Sequence, residues 1–463
     1  MRSETDDFNF GIIVKFRDSL PLAHNATKEE GLSFSACDDL SKQLGELTAC
    51  KNINKLYTSV SPERITGLLS KAAKSDPTYH PPNFLNYYSI TCKDEVEAKK
   101  IVEILNKEDL IDLAYIETHS ACPPSAHEPA NPLRRYQEYL NPAPVGIDAA
   151  YAWGFGGGNG SGRVKFIDIE QGWMFNHEDV KVNQLPTTGL NHYQHRDHGV
   201  AVLGIIMMQD NSLGGIGITP KAEGTVISQW RPNGSFNTPD AIMAAIDHLS
   251  FGDVLLLEAQ SFDILYTERV WPVEILDATF QAIRLATALG IIVVEAAGNG
   301  MNALGNDLDL FVDNNSNNIL NRSSACFKDS HAIVVAGASS TVPHIKSKYS
   351  NFGSRIDCYA WGENVVTAGL SSRSSGSSIN TYSTDFSGTS SASAIMAGAA
   401  IAVQSMTEAK YDIRIGPIQM RKLLSSEIYG TNSANGHRVD KIGVMPDLKK
   451  IIDLAINAGP LTF

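Results

Sequence analysis

Cysteine is scarce: six residues in 463, none forming a C-x-x-C pair. That excludes a disulfide-framework fold and lacks the spacing of a zinc ribbon or thioredoxin-type redox site. Cys37, Cys50, Cys92, Cys122, Cys326 and Cys358 are compatible with free thiols or with one or two bridges. Charge is also sparse, at 19%, and lacks a basic excess: 38 Lys and Arg against 51 Asp and Glu give −13. This balance argues against a general nucleic-acid binder, which carries a basic face. No apolar run approaches the roughly 18 residues of a membrane span. The start, Met1-Arg-Ser-Glu-Thr-Asp-Asp7, lacks the basic-then-apolar order of a secretory leader. The expectation is a cytoplasmic chain, one exported by a dedicated non-classical route, or a secreted one whose leader was removed. What is present, 43% hydrophobic residues over this length, makes a globular chain of about two to three domains.

The first part, 1–119, reads as a small α+β domain. Phe10–Phe16, Leu85–Thr91 and Leu113–Glu117 have strand composition. A helix is expected from Ser61-Pro-Glu-Arg64, and another over Asp94–Lys107 from the stripe Val96, Ile101, Val102 and Leu105. Six prolines crowd a polar stretch that reads as a linker over 120–144. The glycine run 154–162 precedes a strand rather than following one, so it is a loop and not a dinucleotide site. Ser371–Ser378 reads as a surface loop. From 145 to 463 short apolar runs alternate with helical patterns. Val164–Asp168, Val254–Leu257, Ile291–Val294 and Ile333–Val335 look like strands buried on both faces. His198–Met208, Pro239–Leu249 and Ala278–Leu289 carry helical spacing. The fold class is α/β, a mainly parallel sheet with helices on both faces.

Catalysis in such a sheet gathers at the carboxyl ends of its strands. There the sequence places Asp168 at a strand end, His198 at a helix start, Asn299 after Ala296-Ala-Gly298, and Ser390 where a loop enters a helix of small residues. These are the parts of a nucleophilic triad. A serine hydroxyl needs an imidazole base, the imidazole needs a carboxylate, and the tetrahedral intermediate needs donors such as the Asn299 amide and the Ser390 N–H. Glu170, Trp173 and Glu295 lie beside these segments and read as cleft or packing residues.

With Phe166-Ile-Asp168, His198-Gly-Val-Ala-Val-Leu-Gly204, Ala296-Ala-Gly-Asn299 and Ser387-Gly-Thr-Ser-Ser-Ala-Ser-Ala394, the chain resembles the subtilisin-like serine proteases over about 136–455. The resemblance implies a serine endopeptidase working through an acyl-enzyme, on protein or peptide substrates and without a catalytic cofactor. It implies Asp168 as the orienting acid, His198 as base and acid, Ser390 as nucleophile and Asn299 in the oxyanion hole. Ala394 stands where the family usually has proline, and Ser391 where it often has methionine. Ser390 is favoured over Ser391 because it alone follows Gly-Thr and precedes x-Ala. Glu258-Ala259-Gln260 replaces the usual Ser-x-Gly of the substrate-binding strand, and Ala297 and Gly298 are the other expected substrate contacts. A carboxylate at 258 would favour basic residues before the cut. The resemblance further implies a structural calcium held by Asp179, Gln209, Asn211, Leu213 and Gly215. The N-terminal domain looks like the family's inhibitory propeptides, removed by autoprocessing between about Glu117 and Arg135. Two rival readings are a catalytically silent binding protein with this fold and a protease that cuts only itself.

Overall fold

The computed structural model describes residues 10–19, 53–56, 62–63, 66, 83–92, 95–116, 131–185, 188–262, 269–300, 304–313, 316–369 and 379–459. The chain divides into two units, Met1–Ser120 and Ala121–Phe463.

In the first unit, β1 (Phe10–Phe16), β2 (Ile53–Lys55), β3 (Tyr87–Cys92) and β4 (Ile111–Ile116) form an antiparallel sheet in the order β2-β3-β1-β4. Helix α1 (Glu95–Leu105) buries Ala98, Ile101 and Leu105 against Ile12, Val14 and Ile90 of the sheet. The expected helix from Ser61 lies outside the described residues except at Pro62, Glu63 and Thr66, and Ser371–Ser378 lies outside them entirely.

The second unit is built on β5 (Lys165–Glu170), β6 (Asn183–Gln184), β7 (Glu223–Ser228), β8 (Val254–Leu257), β11 (Ile292–Ala296), β12 (Ile333–Ala338), β13 (Cys358–Trp361), β16 (Gly430–Asn432) and β17 (Val444–Pro446). Their order is β16-β17-β13-β12-β11-β8-β5-β7-β6, parallel except at the β16–β17 edge. Two hairpins, β9–β10 (Gln260–Phe262 with Val270–Pro272) and β14–β15 (Val365–Ala368 with Tyr382–Phe386), are separate from it. Helices α2 (Arg196–Met207) and α5 (Thr389–Tyr411) cover one face of the sheet. Helices α3 (Thr238–Ile246) and α4 (Asp277–Ala288) cover the other, where Ile167, Ile169, Leu255, Leu257 and Val293 point. The opening turns of α5 are rich in alanine and glycine, which lets its axis lie close to the strands, and Thr389 to Thr407 are all buried.

Two sequence boundaries shift. The segment expected as linker over 120–144 is, from Asn131 onward, part of the packed second unit. Leu133 N donates to Gly214 O at 2.7 Å, the Gln137 side chain clasps both the N–H and C=O of Ile216, and the Tyr139 hydroxyl donates to Val366 O at 3.1 Å. Its prolines mark turns in a docked arm. The first strand of the sheet also runs two residues beyond Asp168, to Glu170.

Candidate active site

Chain order in the sheet reverses at β5. The chain runs from β5 to β7 on one side and then returns to β8 on the other, and such a switch opens a crevice at the strand ends. Alternation then decides which side chains reach it. Phe166 lies on the face under α2 and α5, so Asp168 and Glu170 share that face; so do Val254 and Leu256, and with them Glu258. Only the last residue of each set stands at the rim. A cleft of about 460 Å³ opens there, lined by Glu170, His198, Glu258, Gln260, Asn299 and Ser390 among others.

The first turn of α2 delivers His198, and Gly199 lets the sheet come close behind it. A Cβ on Gly199 would sit 2.6 Å from Glu170 Oε2 and 2.3 Å from Gly172 O. His198 Nδ1–H donates to Glu170 Oε1, leaving Nε2 to accept from Ser390 Oγ at 3.1 Å. The ring edge packs on Phe386, with centroids 5.4 Å apart.

Asp168, the acid expected from sequence, is not the one on the imidazole. It is fully buried one step down the strand; Trp173 Nε1 donates to its Oδ2 at 2.7 Å, and its Oδ1 has no partner. Glu170 shares Asp168's parity, so the sequence pattern puts both acids on this face and does not choose between them; the structure ends the strand at Glu170. Glu295, the third flanking residue, is buried away from the cleft and accepts from Glu274 N at 3.0 Å.

The nucleophile side follows the sequence reading in its placement. Gly388, at φ +115°, turns the chain into α5, a conformation that glycine adopts without strain. Ser390 faces His198, whereas Ser391 Oγ is buried and bonded to Trp361 O and Gly388 O, each at 2.9 Å. Asn299 Oδ1 accepts from Thr389 N at 2.8 Å, which holds this side chain against the helix start. Glu258, Ala259 and Gln260 line the cleft, and Gln260 Oε1 accepts from Asn299 N at 3.0 Å. Ala297 and Gly298 do not line it. Ala297 is buried with its N–H paired to Val335 O, and Ala296, on the same face as Val294, takes the cleft position.

Burial acts against charge throughout the site. It pushes the carboxyl groups of Asp168, Glu170 and Glu258 well above their ordinary values and pulls the His198 imidazole down, the nearby Glu258 and Asp168 charges opposing the latter.

The expected calcium ligands come together in part. Asp179 is fully buried, and neither of its side-chain oxygens has a hydrogen-bond partner. Burial pushes this carboxyl up from 3.8 to about 6, with polar groups of Gly215, Asn211, Gln209 and Tyr382 pulling the other way. Gln209 N donates to Asp179 O at 3.0 Å, tying the loop to it. Asn131, which sequence did not suggest, adds a third orphaned buried oxygen beside this loop: its Nδ2 donates to Asp210 while its Oδ1 has no partner. Unpartnered hard oxygens are what a calcium ion binds, so the residues fit one. Leu213 and Gly215 could offer only main-chain carbonyls.

Among solved structures, a protease of Pseudoalteromonas arctica PAMC 21717 is similar at 20% identity, over 70% of this chain and 98% of that one, with a TM-score of 0.49. A cold adapted subtilisin-like serine proteinase is similar at 19% identity, over 62% of this chain and 88% of that one, with a TM-score of 0.42. No curated protein matches. The family model described as the subtilase family matches residues 172–443, more than half of the sequence, and the chain therefore belongs to the subtilase family.

Proposed function

We propose that this chain is a serine endopeptidase in which Ser390 is the nucleophile, His198 the general base and acid, and Glu170 the carboxylate that orients the imidazole. The observation that carries this reading is the continuous Glu170–His198–Ser390 hydrogen-bond relay at the mouth of the cleft. Ser390 Oγ attacks the peptide carbonyl carbon as His198 Nε2 takes its proton. Glu170 stabilises the resulting imidazolium, a role that a glutamate fills as well as an aspartate if its longer side chain is held by burial. The oxyanion receives donors from Asn299 Nδ2 and Ser390 N, helped by the N-terminal dipole of α5. Nε2 then returns the proton to the leaving amine, and water hydrolyses the acyl-enzyme by the same steps in reverse.

The chemistry needs no cofactor; a calcium ion held by Asp179, Asn131 and the 209–215 loop would brace the catalytic unit without touching the reaction. In this reading the N-terminal unit is an inhibitor that the enzyme cuts away, as the family's propeptides suggest. The test is the intact mass after fluorophosphonate treatment, beside Ser390→Ala. An adduct on the wild type alone is expected, with loss of the N-terminal unit in the same spectrum. A wild-type chain trimmed in the 117–130 stretch that takes no adduct would leave the silent, substrate-binding reading in its place.

A further inference from the structure

We propose that Glu258 is a positioning residue of the catalytic site, one that holds a proton beneath His198 and braces the turn of α5 bearing Ser390. This rests on the serine-protease reading and deepens it, since the family's usual serine at this point has no carboxyl group to offer.

Placement comes from the sheet. Glu258 N donates to Ile169 O at 3.1 Å, so residue 258 stands beside the end of β5, on the face it shares with Glu170. A carboxylate oxygen of Glu170, one of Glu258 and a ring nitrogen of His198 all lie within 4.8 Å of one another. Asp168 lies below them on β5, and His195 also lines the cleft; among the described residues no lysine or arginine lines it. Three carboxyl groups thus surround one imidazole without a fixed cation, and they cannot all be ionised together.

Hydrogen-bond accounting identifies Glu258 as a proton holder. Ser393 Oγ lies 2.8 Å from Thr389 O, 3.0 Å from Ser390 O and 2.5 Å from Glu258 Oε1. One hydroxyl hydrogen cannot serve three acceptors. When it goes to a helix carbonyl, the short contact to Glu258 is made by the carboxylic acid donating to Ser393. Glu258 Oε2 is shielded from solvent and has no partner, which a neutral carbonyl oxygen tolerates better than an anionic one. Burial, with Glu170 and Asp168 nearby, favours the protonated form, against His198 and the Ser393 hydrogen bond. The carboxyl group therefore faces the imidazole and the helix, and a preference for basic substrates does not follow from it.

The experiment compares wild type, Glu258→Gln, Glu258→Ala and Ser390→Ala, with Glu170→Gln and Asp168→Asn separating the neighbouring carboxyl groups. The wild type at neutral pH is expected to show an infrared carbonyl stretch of a protonated carboxyl group that Glu258→Gln lacks and that disappears at alkaline pH. Fluorophosphonate labelling of Glu258→Gln should be slowed less than that of Glu258→Ala and should lack the alkaline inflection of the wild type. Glu258→Ala, which leaves the Ser393 turn without its partner, should label about tenfold more slowly. No infrared difference between wild type and Glu258→Gln would overturn the proposal, as would Glu258→Gln labelling no faster than Ser390→Ala at any pH. A wild type that never labels would count against the nucleophile reading instead, and the infrared band would still decide the state of Glu258.

Discussion

The second unit contains two buried acidic clusters, and they are built on opposite principles. Around Arg355, which is fully buried, Glu274 accepts from Nε and Nη2 at 2.5 and 3.0 Å, Asp357 accepts from Nη1 at 2.9 Å, and Ser330 Oγ and Ala332 O accept from Nη2. Glu295 adds a third acid at its edge. A permanent cation with matched acceptors makes a fixed strut. Around His198 there are also three acids, but the cation is an imidazole that is charged only part of the time. Asp168, Glu170 and Glu258 each keep an unpartnered oxygen, against Glu295 alone among the three acids around Arg355. One cluster has its charges settled by a guanidinium; the other leaves protons free to move, which is what general base catalysis requires.

Removing the strut should have the largest effect on stability. Arg355→Met leaves the buried Glu274 without its cation and should cost about 3–5 kcal/mol in urea unfolding, with the pH profile of the remaining folded enzyme unchanged. A change in that profile would show that the two clusters communicate. Asn299→Ala should lose about 10²–10³-fold in kcat/KM, the ordinary worth of an oxyanion donor, with no matching loss of stability. Gly199→Ala forces its new methyl against Glu170 and Gly172 O; a loss of about 1–3 kcal/mol in unfolding is expected, together with slower labelling of Ser390.

The smallest effect concerns Asp179, an unpaired buried acid away from both clusters. Its carboxyl titrates at about 6 in the metal-free fold against 3.8 for the ordinary group. Without metal, the stability it contributes is present below about 3.8 and is lost as pH rises through about 6. A calcium ion at this site would bind the ionised form, so stabilisation by calcium should grow over the same interval. Chelation should lower Tm by on the order of a few degrees at neutral pH and by almost nothing in acid. A chelation effect independent of pH, or one retained in Asp179→Asn, would remove Asp179 from the calcium site.

Most of the fold was legible because its strands are buried on both faces and read as short continuous apolar runs. β8 has the very bounds the pattern gives, and α2 and α4 differ from it only at their ends. His198, Asn299 and Ser390 were legible because each sits beside a glycine or a run of small residues that permits close packing. The acid was not. Asp168 ends the apolar run, whereas β5 continues through Ile169 to a buried Glu170, and a glutamate inside a sheet looks like the start of a loop. Only tertiary packing, with α2 passing over β5 at Gly199, distinguishes two acids of the same parity. The arm from Asn131 was misread for a similar reason: proline content marks turns whether or not the turns are packed.

The most direct test of the central claim is kcat/KM for Glu170→Gln beside Asp168→Asn on a small neutral peptide substrate. Glu170→Gln should fall by about 10⁴-fold, the usual loss when a triad carboxylate becomes an amide. Asp168→Asn, which can still accept from Trp173, should stay within about tenfold of wild type. The reverse ranking, with Asp168→Asn crippled and Glu170→Gln active, would contradict the assignment of Glu170 as the acid of this site.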